Sequence, residues 1–380
     1  MIPASIAEEA VRELNGCADR NAGERLKDLA RKAAGRRVPE EDPVFWPSGL
    51  LCLGLAGYDR AAHDRNGSPA DPDSAVSEKV RNALTGHYKR WIAAGCPVRV
   101  IDDAMSGPAL LYLYRITGDA AYRKAADSLA AFLKSAPKDP TGALIYRPHR
   151  DHDYIFADGI GMASMFLRQY GIMSGDAEAA AEADRQAGIF LQHAWDDRSG
   201  LPYHGYETAG AVRCGLVGWG RAVGWLLLGM CETEDRGLKL LFRDLCRAAG
   251  QYRKEDGLFS WLLPAQEGPA DLSATAMICL AEQTALENGC LPAGDAGVLF
   301  PKLQKARETI LSHADPVTGK IGQTLAECRG FAEHPQIYGN YPWGQGAALA
   351  FLSSMRNGDP GRQQDGAPVR EDPSADSAGV

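Results

Sequence analysis

The sequence predicts an all-α protein closed into an (α/α)6 barrel, a toroid of six helical hairpins. Strand signals are nearly absent along the 380 residues. Six apolar, Ala/Leu/Met-rich segments recur, each opening just after a loop carrying Trp, Asp or Gly. They start near Trp46, Asp103, Asp158, Trp219, Asp271 and Trp343, between 52 and 72 residues apart. A second, more charged segment follows most of them, at 73–94, 120–135, 176–194, 235–253 and 297–312. One apolar plus one amphipathic helix per unit is an αα-hairpin repeat. Six apolar helices inside and a ring of amphipathic ones outside make the toroid. An open α-solenoid is the rival, and loss of the pattern after the sixth unit favours closure.

In chain order, residues 1–40 read as an N-terminal helical extension, a polar amphipathic helix or two packed outside the barrel. Residues 41–356 hold the six repeats and form the catalytic domain. Turn chemistry supports the pairing: Ile116-Thr117-Gly118-Asp119 stops one helix at Gly and starts the next at Asp. Asp197–Gly200 and Asp315–Gly319 are loop turns of the same kind. From Asn357 onward the chain is Gly, Pro, Asp, Gln and Ser with almost nothing to bury, so 357–380 is expected to be a disordered tail.

Composition excludes several function classes. The chain is 45% hydrophobic and 24% charged, which is ordinary soluble composition. A net charge of −8, with no basic run among aromatics, argues against a nucleic-acid partner. No apolar run approaches the ~20 residues of a membrane span, and the N-terminus lacks a secretory signal. Nine scattered cysteines with no CxxC fit reduced thiols in a cytoplasmic protein, with Cys52, Cys231 and Cys279 as small core residues.

In such a toroid the starts of the inner helices line one mouth. Trp46, Asp102, Asp103, Asp158, Trp219, Arg221, Asp271 and Trp343 fall there. Asp is a preferred N-cap, and that plain role suits Asp103 and Asp271. Asp158 differs, because Tyr154-Ile-Phe-Ala precedes it and Gly-Ile-Gly-Met follows. A carboxyl in so apolar a setting favours its protonated form, the state of a general acid. In Gly218-Trp219-Gly220-Arg221-Ala-Val-Gly224-Trp225, Arg221 and Trp225 share a helix face, and Trp219 can lean over the same mouth. A guanidinium between two indoles suits a planar, anionic sugar ring. The plain alternative is a buried Trp pair with an arginine bonding a helix end. Gly218, Gly220 and Gly224 do not form a nucleotide loop, since no strand precedes them. His149, Asp151, His152 and Asp153 read as a solvated loop rather than a metal cluster.

Several blocks resemble the unsaturated uronyl hydrolases, in particular the unsaturated rhamnogalacturonyl hydrolases of glycoside hydrolase family 105, with the unsaturated glucuronyl hydrolases of family 88 as cousins. They are Ile101–Gly107 with Leu111–Asp119, Tyr154–Met162, Gly200–Glu207 with Trp219–Trp225, and Asp256–Leu258 with Asp271–Met277. The resemblance implies an (α/α)6 barrel without metal or cofactor. It implies removal of a C4=C5 unsaturated uronic acid from the non-reducing end of lyase-generated oligosaccharides, by protonation of C4 and addition of water at C5. By position, Asp158 falls on the general acid/base and Asp102 on the second aspartate. His204 falls on the histidine that holds substrate and water, and Trp219, Arg221 and Trp225 on residues contacting the unsaturated sugar. Trp46, Asp103 and Trp343 complete the expected site. The chain departs from the family at Asp103, where Asn is usual, and in the block Tyr338–Gly346. Two rivals stand beside this reading: a glycanase on the same barrel using Asp102 and Asp103, and a non-catalytic sugar-binding toroid. A monomer or small homo-oligomer is expected.

Overall fold

The computed structural model describes residues 2–18, 43–65, 72–146 and 152–355. Twelve α-helices are present among them: α1 (Ala4–Ala18), α2 (Trp46–Arg65), α3 (Pro72–Ala93), α4 (Gly107–Thr117), α5 (Ala120–Ser135), α6 (Ala157–Ser174), α7 (Ala177–Ala194), α8 (Gly220–Met230), α9 (Arg236–Gly250), α10 (Leu272–Glu287), α11 (Ala296–Ser312) and α12 (Pro342–Ser354). The even-numbered helices form the inner ring. Each packs on the next, and α12 returns onto α2, so the ring is closed. The open solenoid is thereby excluded.

The inner helices are buried over most of their circumference, as their continuous Ala, Leu, Met and Gly runs require. Glycines set how closely they approach. A Cβ on Gly161 of α6 would lie 2.3 Å from the carbonyl oxygen of Trp225 on α8. One on Gly224 would lie 2.8 Å from Met277 Cβ on α10. Gly220 and Gly224, two of the three glycines weighed as a nucleotide loop, thus serve the packing of α8 on α10.

The odd-numbered helices form the outer layer. Asp119, Asp176 and Asp235 cap α5, α7 and α9 by accepting backbone N–H groups. Gly118, at φ 68°, ends α4 in the left-handed region. α1 packs on α2, α3 and α12 and takes its place in the outer layer. The expected tail at 357–380 and residues 19–42 lie outside the described residues. All nine thiols are free, and Cys52, Cys231 and Cys279 are buried. No described helix is long and apolar enough to cross a membrane.

Two features differ from the sequence reading. The segment Ile101–Ser106 is a 3-10 helix leading into α4, so the α-helix starts at Gly107 rather than near Asp103. Short strands also occur in the connections. β1 (Tyr154–Phe156), β4 (Gly205–Glu207) and β5 (Val212–Cys214) form one antiparallel ribbon. β2 (Trp195–Asp196) pairs with β3 (Leu201–Pro202), and β6 (Thr324–Leu325) with β7 (Tyr338–Gly339). Strands of two or three residues are too short to show an alternating pattern in sequence.

Candidate active site

The β1–β4 ribbon assembles the centre of the site. Phe156 pairs with Gly205 in register, and the Ala157 N–H donates to the His204 carbonyl at 3.0 Å. Asp158, one residue into α6, is thereby set beside His204. Its Oδ2 lies 2.9 Å from His204 Nε2. The histidine is fully buried, while the Asp158 side chain keeps 15% of its surface exposed. The carboxyl is therefore the member of the pair that a ligand can reach.

Asp102 and Asp103 have different duties. The Asp103 Oδ2 accepts from the backbone N–H groups of Arg99 (2.8 Å) and Val100 (3.3 Å), closing the turn before the 3-10 helix. The Asp102 Oδ2 accepts from the Tyr146 hydroxyl. The Tyr146 ring packs on Phe156 at 4.6 Å and would meet a Cβ on Gly159. Tyr146 thus ties Asp102 to the strand and helix that carry Asp158. It lies in a loop without periodicity, and only its neighbourhood to the Asp158 block in sequence could have marked it.

The arginine and its indoles are arranged otherwise than the helical spacing suggests. The Arg221 guanidinium carbon lies 4.9 Å from the Trp219 ring centre and 5.9 Å from that of Trp343. Its second indole is therefore Trp343 rather than Trp225. Trp225 packs edge-on against Trp46 at 6.2 Å, and Trp46 lies 5.2 Å from Trp343. The guanidinium also does structural work. Nη1 donates to the Leu325 carbonyl and Nη2 to that of Ala326, both at 2.8 Å. Nη1 faces Asp271 Oδ2 at 3.4 Å. Asp271 caps α10 through Ser273 and accepts from the Leu325 N–H, which is the plain role expected of it.

Sequence reasoning missed one whole segment. The residues between β6 and β7 lie across the site. Phe331 stacks on Phe156 at 4.0 Å and 5°, with its ring 5.1 Å from His204. The His334 ring lies 5.2 Å from Trp219 and 5.9 Å from His204. Burial, reinforced by His204 and Arg221, pushes the His334 imidazole down to about 4, so it is neutral at physiological pH. Burial, with the nearby Asp158 charge, pushes the Cys328 thiol up to about 12 and keeps it protonated. The segment has no helical or alternating pattern, so nothing in it signalled a site.

His149 and Asp151 lie outside the described residues, and His152 Nδ1 meets Glu207 Oε1 at 3.4 Å. Among the described residues no group of three His, Cys, Asp or Glu side chains is placed to hold a metal ion. A cavity of about 540 Å³ opens at the other end of the barrel, lined by Arg60, Glu232, Glu287 and Ser353 near the ends of inner helices.

The closed ring of inner helices defines a six-hairpin helical toroid, and an acid–histidine pair lies in it beside Trp219 and Phe156. The sequence profile of Glycosyl Hydrolase Family 88 matches residues 73–357, and the chain belongs to that family. It is a glycoside hydrolase. The unsaturated rhamnogalacturonyl hydrolase YesR of Bacillus subtilis (strain 168) is 25% identical over 334 residues, covering 82% of this chain and 89% of that relative. A possible family 105 member from Klebsiella pneumoniae superposes with a TM-score of 0.72 at 18% identity, covering 92% of this chain and 91% of its own. The unsaturated glucuronyl hydrolase of Bacillus sp. GL1 superposes with a TM-score of 0.66 at 16% identity, covering 93% and 95%. These superpositions agree with the (α/α)6 fold.

Proposed function

We propose that the protein removes a 4,5-unsaturated uronic acid from the non-reducing end of lyase-generated oligosaccharides, with unsaturated galacturonyl groups on rhamnogalacturonan fragments as the preferred class. The observation that carries this reading is the Asp158–His204 pair, accessible only at the carboxyl and walled by Trp219 and Phe156. Asp158 gives its proton to C4 while water adds at C5, and the water's proton returns to the carboxylate. The product is a hemiketal at C5. Its opening leaves a carbonyl there and releases the leaving-group sugar from C1. Asp102, held by Tyr146, stands as the second acid of the site, and Arg221 supplies positive charge near the uronate. The likeness to a rhamnogalacturonyl hydrolase supports the leaving group. The free thiols fit a cytoplasmic setting.

The rival that pairs Asp102 with Asp103 is disfavoured, since Asp103 spends its Oδ2 on two backbone N–H groups. The test is a panel of lyase digests, followed by loss of the ultraviolet absorbance of the conjugated double bond. Wild type should consume unsaturated galacturonyl-rhamnose. Asp158→Asn should fold normally and lose at least about a hundredfold in kcat, the lower range for a general acid. Near-native turnover by Asp158→Asn would remove Asp158 from the chemistry. No turnover of any digest by wild type would sink the substrate assignment.

A further inference from the structure

Three buried ring nitrogens around His204 have no hydrogen-bond partner among the described residues: its own Nδ1, Trp219 Nε1 and His334 Nε2. Their rings form one group, at 4.3 Å (His204–Trp219), 5.2 Å (Trp219–His334) and 5.9 Å (His204–His334). His204 and Trp219 are 0% and 1% exposed. Buried donors and acceptors are nearly always paired in native proteins, and a cluster of exceptions at one place calls for a polar ligand.

His334 is delivered there by 326–337, the loop of the β6–β7 hairpin. The base of the loop is held where Arg221 donates to Leu325 and Ala326. Its tip is held by Phe331, which sits in a notch that only glycine leaves open. A Cβ on Gly205 would lie 2.7 Å from the Phe331 ring, and one on Gly215 would lie 3.0 Å from it. Phe156 closes the notch from below.

We propose that His334 is a substrate-binding residue of the uronyl hydrolase reaction: together with the Trp219 indole it holds a hydroxyl of the sugar bound over Asp158 and His204. The inference rests on the reaction proposed above. A hydroxyl suits the pair because it can accept from the indole N–H, a donor only, and donate to the imidazole. The neutral state of His334 keeps that acceptor available from pH 5 upward. Phe331 in its notch fixes the loop, and through it the imidazole.

The experiment compares wild type with His334→Gln, which keeps a neutral hydrogen-bonding group, and His334→Phe, which keeps an aromatic ring without one. Kinetics are read on an unsaturated oligosaccharide that wild type consumes, beside melting curves and the pH profile of kcat/KM. His334→Phe should lose about tenfold in kcat/KM, mainly through KM, as expected for one lost hydrogen bond. His334→Gln should recover to within about threefold of wild type. The pH profile should keep its shape in both, since His334 binds rather than transfers a proton. Phe331→Ala should raise KM in the same direction by loosening the loop. Full activity in His334→Phe, a loss in His334→Gln as deep as in His334→Phe, or an unchanged KM in Phe331→Ala would overturn the assignment while leaving the reaction intact. Absence of wild-type turnover on every digest would instead sink the reaction and this inference with it.

Discussion

Arg221 carries two demands at once. Its guanidinium fastens two backbone carbonyls and faces Asp271, yet it also lies against Trp219 at the mouth. Both can be measured separately. Arg221→Ala leaves two carbonyls and a buried carboxylate without their donor, and should lower stability by about 3–5 kcal/mol. If its charge also meets the uronate, wild type should prefer the free acid over its methyl ester by about tenfold or more, the worth of a charge-assisted hydrogen bond. Arg221→Lys should recover little of either, because a point charge does not replace a planar fork. Equal wild-type rates on acid and ester would leave Arg221 with its structural duty alone. At this scale the sequence singled out Asp158 by its apolar flanks, the residue that the structure sets beside His204. It was silent on Tyr146, Phe331 and His334, which reach the site from loops whose paths depend on distant packing. It was misleading on Trp225, because helical spacing shows which residues share a face but not which indole a neighbouring helix brings in.

At the scale of elements, the helices were legible to within a few residues because capping and periodicity are local. The capping aspartates and the left-handed Gly118 mark the same boundaries in sequence and structure. The short strands were not legible, since their pairing depends on residues some fifty positions apart, as with Phe156 and Gly205. The outer layer also contains a titratable liability. His87 on α3 is 1% exposed, and burial, helped by Arg90, pushes its imidazole down to about 4. An unfolded histidine takes up its proton near pH 6.5, so between there and pH 4 the unfolded chain binds more protons than the folded one. The favourable contribution is complete above pH 6.5 and is lost as pH falls toward 4. The loss attributable to this one group approaches about 3 kcal/mol. His87→Gln, which cannot titrate, should therefore lose less stability than wild type between pH 7 and pH 4.5, each protein being compared with itself. Urea unfolding at the two pH values reads this directly, and parallel losses would show that His87 is not the group responsible.

At the scale of the molecule, six repeats make a ring only if the last meets the first. Closure brings α12 onto α2 with almost no space between them: a Cβ on Gly54 would lie 2.4 Å from the Gly346 carbonyl oxygen. One side chain then knots the seam. Gln345 is fully buried on α12, and its Nε2 donates to the carbonyls of Ile6 on α1 and Gly319 after α11, both at 3.0 Å. Its Oε1 accepts from the Ile321 N–H at 2.9 Å and from Asn340 at 3.2 Å. A single amide thus joins the first helix, the last helix and the connection leading to the β6–β7 hairpin over the site. Gln345→Met keeps the volume and removes every one of these bonds, leaving several buried backbone groups unpaired. It should cost about 3 kcal/mol or more, at about 1–3 kcal/mol for each group left unsatisfied. Gln345→Glu keeps the acceptor but faces two carbonyls with a carboxyl that has one proton at most, so it should recover only part. Because the same connection carries Phe331 and His334, the loss should also appear as a raised KM at temperatures well below the melting point. A Gln345→Met protein with native stability and native KM would show that helix packing alone closes the ring.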